Sequence, residues 1–225
     1  MTRIEKILRN CSRKQLTCAI LGICIAMILT TEIVGRRMMY VEAKYQDTQQ
    51  ALADEVFRFH VIANSDSSKD QEVKLKVRDA VISYMKESMD SKDDDVEQTR
   101  QWVREHLDKI EEIARQMVRA QGDTYEVSAE VTKCYFPDKY YGDILFPEGW
   151  YDALRIRLGK ASGHNWWCVL YPNLCFMNAT CAVVDEDGKK KLKDALSAQE
   201  YEMITASSEF KIKWFFFGEG QEEEP

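Results

Sequence analysis

The stretch FHVIANSDSSKDQEVKLKVRDAV, residues 59–81, passes from an apolar segment through a polar turn into a charged segment. Its aromatic and β-branched beginning is typical of a β-strand. NSDSS supplies turn-forming residues, and Ser68 with Gln71 three positions later predicts a capping box at the start of a helix. Valines then recur at helical spacing, at positions Val73, Val77 and Val81. The stretch therefore predicts a strand–turn–helix unit.

The polar turn has two interpretations, one architectural and one catalytic. Carboxylates and hydroxyls at this place cap the helix and favour its positive end. A catalytic interpretation makes Asp66 and His60 a base and its partner. However, His60 lies inside the strand and no nucleophile is within reach by sequence, so capping is favoured. Farther along the helix, Arg78 and Asp79 form either a solvated face or a ridge that contacts a partner.

The remainder of the chain predicts an α+β fold. Residues 94–121 carry apolar side chains at helical spacing, and residues 125–132 alternate as a half-buried strand does. A polar stretch after residue 185 predicts a turn and a short helix. Further strands are predicted at ALRIRL (153–158), NWWCVLY (165–171) and FKIKWFFF (210–217). This order predicts a single exported domain with a mostly antiparallel sheet packed against two helices, preceded by an N-terminal signal or anchor segment.

The N-terminus has the pattern of a signal peptide or a membrane anchor. Residues 1–43 carry a net charge of +4, which leaves −11 on residues 44–225. Five basic residues precede an apolar run that begins at Leu16 and reaches Val34 if Glu32 is included. A cleaved signal and a retained anchor both stay open. Both place the body outside the cytoplasm, because positive flanks stay inside. The acidic body argues against a nucleic-acid partner.

The block GHNWWCVLYPNLC, residues 163–175, allows three interpretations. Cys168 is a candidate nucleophile, as in thiol hydrolases, although no base or orienting residue is identifiable. His164, Cys168, Cys175 and Cys181 are a candidate zinc set, although the usual tight spacing is missing. The third and favoured interpretation is a disulfide between Cys168 and Cys175, because Pro-Asn between them is a turn signal. Trp166 and Trp167 then belong to the core or contact a partner.

The first block, FRFHVIANSDSSKDQEVKLKVRDAV, and the second, GHNWWCVLYPNLCF, together resemble the two signature blocks of the stage II sporulation protein R family. Their order, their separation and the N-terminal segment are similar as well. The resemblance runs from about Glu55 to Phe176. Two departures concern loop geometry: KASG stands where a glycine-richer turn is expected, and Pro172-Asn173 stands where Pro-Pro is usual.

The resemblance implies a signalling role without catalysis. Members of the family are made in the smaller compartment during endospore formation and exported into the space between two membranes. There they activate a membrane-embedded aspartic protease that cleaves the sigma-E precursor. For this chain the resemblance implies contact with the exposed domain of that protease. The residues expected to line or support the contact are Asn64, Asp66, Arg78, Asp79, Trp166 and Trp167.

The predicted organisation has five parts. They are a basic N-terminus with signal or anchor (1–43), a tether (44–54), the family-like domain (55–176), a C-terminal extension (177–217) and an acidic tail (218–225). Residues 16–34 would contact the membrane if they are retained. No catalytic residue, cofactor, metal, nucleic acid or small-molecule substrate is predicted, since the sequence contains no common catalytic, metal or nucleotide motif. The alternative is an exported thiol hydrolase that acts on peptide or cell-wall material through Cys168.

Overall fold

A computed structural model describes residues 13–89, 95–172, 174–177, 184 and 186–206. The chain divides into two compact units. Among the described residues, one unit comprises residues 13–46 and the other comprises residues 47–206. The strand predicted at residues 210–217 and the acidic tail lie outside the described residues.

The N-terminal apolar segment forms part of one continuous helix, α1, Arg13–Glu55. An 18-residue window of α1 has a mean hydropathy of 2.2 and is not buried in the protein. Within the described part of the chain, this is the helix that is long and apolar enough to cross a membrane. The segment predicted as a tether, residues 44–54, is the helical continuation of α1, and Leu52 in it is fully buried.

The second unit contains the end of α1 followed by six strands and six further helices within its described residues. In chain order, the first elements after α1 are β1 (Phe57–Ile62), α2 (Ser68–Ser88), α3 (Val96–Glu105), α4 (Leu107–Ala120) and β2 (Val127–Phe136). A small hairpin follows, with β3 (Lys139–Tyr141) and β4 (Ile144–Phe146). The remaining elements are β5 (Gly149–Leu158), β6 (Asn165–Tyr171), α5 (Leu174–Met177), α6 (Glu186–Ala195) and α7 (Ala198–Ala206).

Four strands form one mixed sheet in the order β2-β5-β1-β6. The β2–β5 and β1–β6 pairs are antiparallel, and the central β1–β5 pair is parallel. The parallel pair is possible because the long connection through α2, α3 and α4 carries the chain back before β5 begins. The predicted α+β class and mostly antiparallel sheet are confirmed. The hairpin β3–β4 is not among the predicted elements.

The main core lies between one face of this sheet and the helices α2, α3 and α4. Alternate strand residues point to this face, as the period of two in a strand requires. The buried strand residues are Phe57, Phe59, Val61, Leu154, Ile156 and Leu158. The buried helix residues that meet them include Val73, Val77, Val81, Val103, Ile110 and Ala114. The stripes of valine and isoleucine read from the sequence are therefore the packing faces of the helices.

The helix predicted at residues 94–121 is divided at His106, where α3 ends and α4 begins. His106 has a backbone φ of −109° and ψ of 12°, outside the helical region. Its ring stacks on Trp102 at 4.0 Å, and its Nδ1 lies 2.8 Å from the carbonyl oxygen of Trp102. An unbroken apolar stripe does not reveal such a bend, because both short helices pack against the same sheet.

The predicted cap of α2 is wrong by one residue. Ser67, and not Ser68, is the N-cap, because its Oγ accepts a hydrogen bond of 3.1 Å from the backbone N–H of Asp70. Gln71 does not close the capping box. Its side-chain amide donates instead to the carbonyl oxygen of Ser65 at 2.9 Å. Two adjacent serines offer the same chemistry, and the turn geometry selects between them.

Removing the Ser67 hydroxyl is expected to destabilise the protein more than removing its neighbour's. Ser67→Ala should lower the free energy of unfolding by about 1 kcal/mol, because one backbone N–H of the first helical turn loses its acceptor. Ser68→Ala, the matched control, should change it by only a few tenths of a kcal/mol. Chemical denaturation of the full chain in detergent micelles measures both. Equal losses would contradict this assignment of the cap.

Candidate partner-binding site

The turn between β1 and α2 is held together by the carboxylate of Asp70. Asn64 Nδ2 donates to Asp70 Oδ2 at 2.9 Å, and Ser65 Oγ donates to the same oxygen. The Ser65 hydrogen bond is the largest cause that lowers the pKa of Asp70, and the Asn64 bond adds to it, while burial acts in the opposite direction. The ionised carboxylate at the helix N-terminus also suits the helix dipole. The turn is therefore organised around an internal acceptor.

A second turn, residues 159–164 between β5 and β6, docks on the first. The backbone N–H of Lys160 donates to Asn64 Oδ1 at 3.0 Å, and Ser162 Oγ donates to the carbonyl oxygen of Asn64 at 2.8 Å. The N–H of Gly163 donates to the carbonyl oxygen of Ala63 at 3.0 Å. A Cβ on Gly163 would collide with the carbonyl oxygen of Ser65, so a glycine is required for this close approach.

His164 and Asp66 join the two turns at the surface. Asp66 Oδ1 accepts from the backbone N–H of His164 at 2.6 Å and lies 2.5 Å from its ring Nδ1. These contacts, the ring contact first, lower the pKa of Asp66. The His164 side chain is 81% exposed, so it is accessible to a partner. Lys74 of α2 reaches the same place, where its Nζ donates to the carbonyl oxygen of His164 at 3.0 Å.

The base and partner considered for the turn, His60 and Asp66, are not brought together. Asp66 bonds His164, whereas neither ring nitrogen of His60 has a hydrogen-bond partner in the part of the chain that the structure describes. His60 points to the other face of the sheet and stacks on Trp167, with ring centroids 4.8 Å apart. The sequence missed the Asp66–His164 pair because the two residues are 98 positions apart and meet only through the docking of the two turns.

Arg78, Asp79 and Trp166 form a second cluster beside the first. The Arg78 guanidinium lies 5.1 Å from the centre of the Trp166 ring, a cation–π geometry, and its Nε donates to Asp79 Oδ1 at 2.7 Å. The Arg78 side chain is 8% exposed and that of Asp79 is 55% exposed. Trp166 also meets Phe59 edge to face at 5.5 Å. Arg78 and Trp166 thus support the surface, and Asp79 is the accessible member.

The two tryptophans lie on opposite faces of the sheet, because adjacent strand residues alternate. Trp166 belongs to the face that packs on the helices. Trp167 stacks on His60 and meets Phe136 edge to face at 4.7 Å on the other side. Of the six residues predicted to line or support one contact surface, five lie around the docked turns and α2, and Trp167 does not.

Cys168 and Cys175 are joined by a disulfide bond, with Cα atoms 5.9 Å apart. The bond ties β6 to the short helix α5, and both cysteines are buried. In this oxidised form Cys168 presents no thiol for nucleophilic chemistry. Of the candidate zinc set, His164 bonds Asp66, two cysteines are paired with each other, and Cys181 lies outside the described residues. The described residues contain no group of three or more side chains suited to a metal ion.

Comparison with known proteins identifies the family. Residues 53–181 match the family model described as stage II sporulation protein R. The chain belongs to this family. It is 33% identical over 194 residues to the protein named stage II sporulation protein R of Bacillus subtilis (strain 168), a match that covers 84% of this chain and 85% of that protein. No solved structure matches the chain.

Family membership makes this chain a sporulation protein. The matched segment contains both docked turns, the Arg78–Trp166 cluster and the disulfide, and it extends past the predicted end of the domain at residue 176. The N-terminal apolar helix indicates a signal or anchor, and the disulfide indicates an oxidising environment. The first signature block supplies Asn64 and Asp66 of the docked turns, and the second supplies Gly163 and His164, whereas Lys160 and Ser162 lie just before the second block.

Proposed function

We propose that this sporulation protein is an intercellular signal that activates a membrane-embedded aspartic protease. It is made in the smaller compartment of the sporulating cell and exported into the space between the two membranes. There it is bound by the exposed domain of the protease. The protease of the larger cell then cleaves the sigma-E precursor. Family membership supports the biological setting, and the apolar helix ahead of a disulfide-bonded body suits an exported protein.

The observation that carries the proposal is the docking of the two turns, at which the two family blocks meet, into one hydrogen-bonded surface. Their polar groups bond each other across about a hundred residues of sequence and leave His164, Asp66 and Asp79 exposed on top. A surface of this kind is organised before a partner arrives, which lowers the entropic cost of binding. The proposed role of this surface is binding, because its polar side chains hold the two turns together through hydrogen bonds.

Activation by such a surface is a matter of differential binding. A ligand shifts a conformational equilibrium only by the difference between its affinities for the two states. The protein therefore binds the exposed domain of the protease more tightly in its active arrangement than in its resting one. A binding surface held by internal hydrogen bonds suits this role, since it is organised for one of the two arrangements.

The direct test measures sigma-E precursor processing in sporulating cells that lack this chain. Processing should be lost in these cells and return when the full chain is expressed in the smaller compartment. Expression without residues 13–34, which keeps the body in the cytoplasm, should not restore it. Restoration by the cytoplasmic body would show that export is not needed and would overturn the proposed mechanism.

Substituting Asp79 is expected to weaken processing without unfolding the protein. Asp79→Ala removes the exposed carboxylate beside the Arg78–Trp166 cluster. Processing should fall by about threefold to tenfold, because the partner loses a charged group that it contacts. Glu87→Ala, which removes an exposed carboxylate near the end of the same helix, is the matched control and should leave processing unchanged. Immunoblotting gives both the processed fraction and the level of the variant. Normal processing by Asp79→Ala at a normal protein level would exclude this residue from the contact.

A further inference from the structure

The second face of the four-stranded sheet points away from α2 and α4, and its solvent exposure differs between its two halves. One half is buried, and Arg58, Phe136 and Tyr151 there have no exposed surface. The other half, at the end of β1, is partly exposed. We call this half the open face. Its residues are Ser128, Glu130, Arg155, Arg157, Asn165 and Trp167.

Strand register makes the open face one continuous surface. One row of neighbouring residues crosses the four strands in the order Glu130 (β2), Arg155 (β5), His60 (β1) and Trp167 (β6). The next row, reached by moving two residues along each strand, runs through Ser128, Arg157, Ile62 and Asn165 in the same way. Two rows from four strands therefore present an arginine pair at the centre and a tryptophan at one side.

The open face is positively charged on an otherwise acidic body. Arg155 donates to Glu130 Oε1 through Nε at 3.1 Å and Nη2 at 2.9 Å, and Arg157 Nε lies 3.7 Å from the same oxygen. Two guanidinium groups thus share one carboxylate. The adjoining depression, about 270 Å³, is lined by Arg157 and Lys160 together with Glu126. Three cations face two carboxylates, whereas residues 44–225 carry −11 overall.

Buried polar atoms without partners lie beneath and beside the arginines. His60 Nδ1 and Nε2 and Asn165 Oδ1 have no hydrogen-bond partner within the described residues. His60 is 3% exposed and lies under Trp167. Unsatisfied buried polar groups are uncommon and costly in folded proteins. A ligand on the open face would supply partners for the atoms nearest the surface.

We infer that the open face binds an acidic segment of the protein partner, resting on the proposed function that the partner is the exposed domain of the aspartic protease. Carboxylates of the segment pair with Arg157 and with the N–H groups of Arg155 that Glu130 does not accept. Arginine forms bidentate hydrogen bonds with carboxylates, and tryptophan and arginine are enriched where binding energy concentrates. Trp167, which lies away from the docked turns, belongs to this second contact.

Charge favours an acidic protein segment over the two other occupants of such a face. Recognition of an anionic membrane surface takes clusters of four or more basic residues, and the open face and its depression carry three beside two carboxylates. A second copy of this chain brings a body of the same net charge, −11, which opposes association at long range.

The test measures binding of the purified full chain, in detergent micelles, to the purified exposed domain of the protease. Arg157→Glu should weaken the affinity by about tenfold or more, and Arg157→Lys should retain most of it. Arg104→Glu is the matched control and should bind normally. Arg104 on α3 is 50% exposed and paired with Glu97, as Arg157 is 49% exposed and paired with Glu130. Circular dichroism confirms that the variants are folded.

The outcomes separate this inference from the proposed function. If the wild-type chain does not bind the domain, both fail. If it binds and Arg157→Glu binds equally well, the open face is not the contact and only this inference fails. Two other outcomes for Arg157→Glu, each with domain binding unchanged, would also overturn the inference. Loss of binding to phosphatidylglycerol vesicles would assign the face to a membrane. Loss of self-association in the ultracentrifuge would assign it to a second copy of the chain. A selective loss by Arg157→Glu supports the inference.

Discussion

Acidification is expected to destabilise this protein through one buried side chain, His60. Burial, followed by the positive charges of Arg155 and Arg58, lowers the pKa of His60 from 6.5 to about 3. In the unfolded chain the same imidazole takes up a proton near pH 6.5, so between these values the unfolded state binds more protons. The contribution of neutral His60 to stability is complete above pH 6.5 and is lost as the pH falls towards 3.

The size of the effect follows from the width of that window. Each pH unit within it is worth at most about 1.4 kcal/mol, so the free energy of unfolding should be about 2 to 3 kcal/mol lower at about pH 4.5 than at about pH 7.5. His60→Phe keeps the stacking on Trp167 and removes the titrating group. We expect its stability to change much less over the same interval, as measured by urea denaturation at a series of pH values.

A second histidine provides the control. His106 also stacks on a tryptophan, Trp102, and His106→Phe leaves His60 in place. This variant should keep the full loss of stability on acidification. The prediction fails if His60→Phe and the wild type lose stability in parallel between these pH values, because His60 would then be protonated in both folded and unfolded protein.

Removing either cysteine of the disulfide is expected to cost the protein about 2 to 3 kcal/mol of unfolding free energy. The bond closes a short loop, since Cys168 and Cys175 are separated by seven positions in sequence, and the chain-entropy model gives this amount for such a loop. Cys168→Ser, Cys175→Ser and the double variant should lose about the same stability, because each lacks the same bond. A reducing agent should bring the wild type to the same level and leave the variants unchanged.

The same variants separate a structural disulfide from a catalytic thiol. Equal loss of sigma-E precursor processing in the two single variants agrees with the disulfide. Loss with Cys168→Ser alone, while Cys175→Ser is harmless, would instead favour the thiol hydrolase alternative. Cys134→Ala is the control, since Cys134 is a buried cysteine without a disulfide. This variant keeps the Cys168–Cys175 bond, so a reducing agent should still lower its stability by the same amount as in the wild type.

Local signals predicted the elements well and their ends less well. Helix-period valines identified α2, and alternation identified β2 and β5, because these patterns record which side of an element is buried. The boundary at His106 and the cap at Ser67 were missed. Both depend on a backbone conformation at a single residue, and the neighbouring residues in sequence have nearly the same preferences.

The candidate site shows a sharper division. Asn64, Asp66 and Arg78 lie in the turn and the helix that local sequence features predict, and their contact with a partner stays a prediction. Their partners were not found. Asp66 bonds His164, and Arg78 lies over Trp166, only because β6 pairs with β1 after a long excursion of the chain.

By itself, the sequence determined the class of this protein: an apolar N-terminal helix, an acidic α+β body, and the two blocks that define its family. These follow from composition, periodicity and short motifs, which act within a few residues. The tertiary structure alone decided that the two turns dock, that Trp166 and Trp167 face opposite ways, and that Arg155 and Arg157 share Glu130. Strand register sets these contacts, and register depends on the packing of the whole sheet.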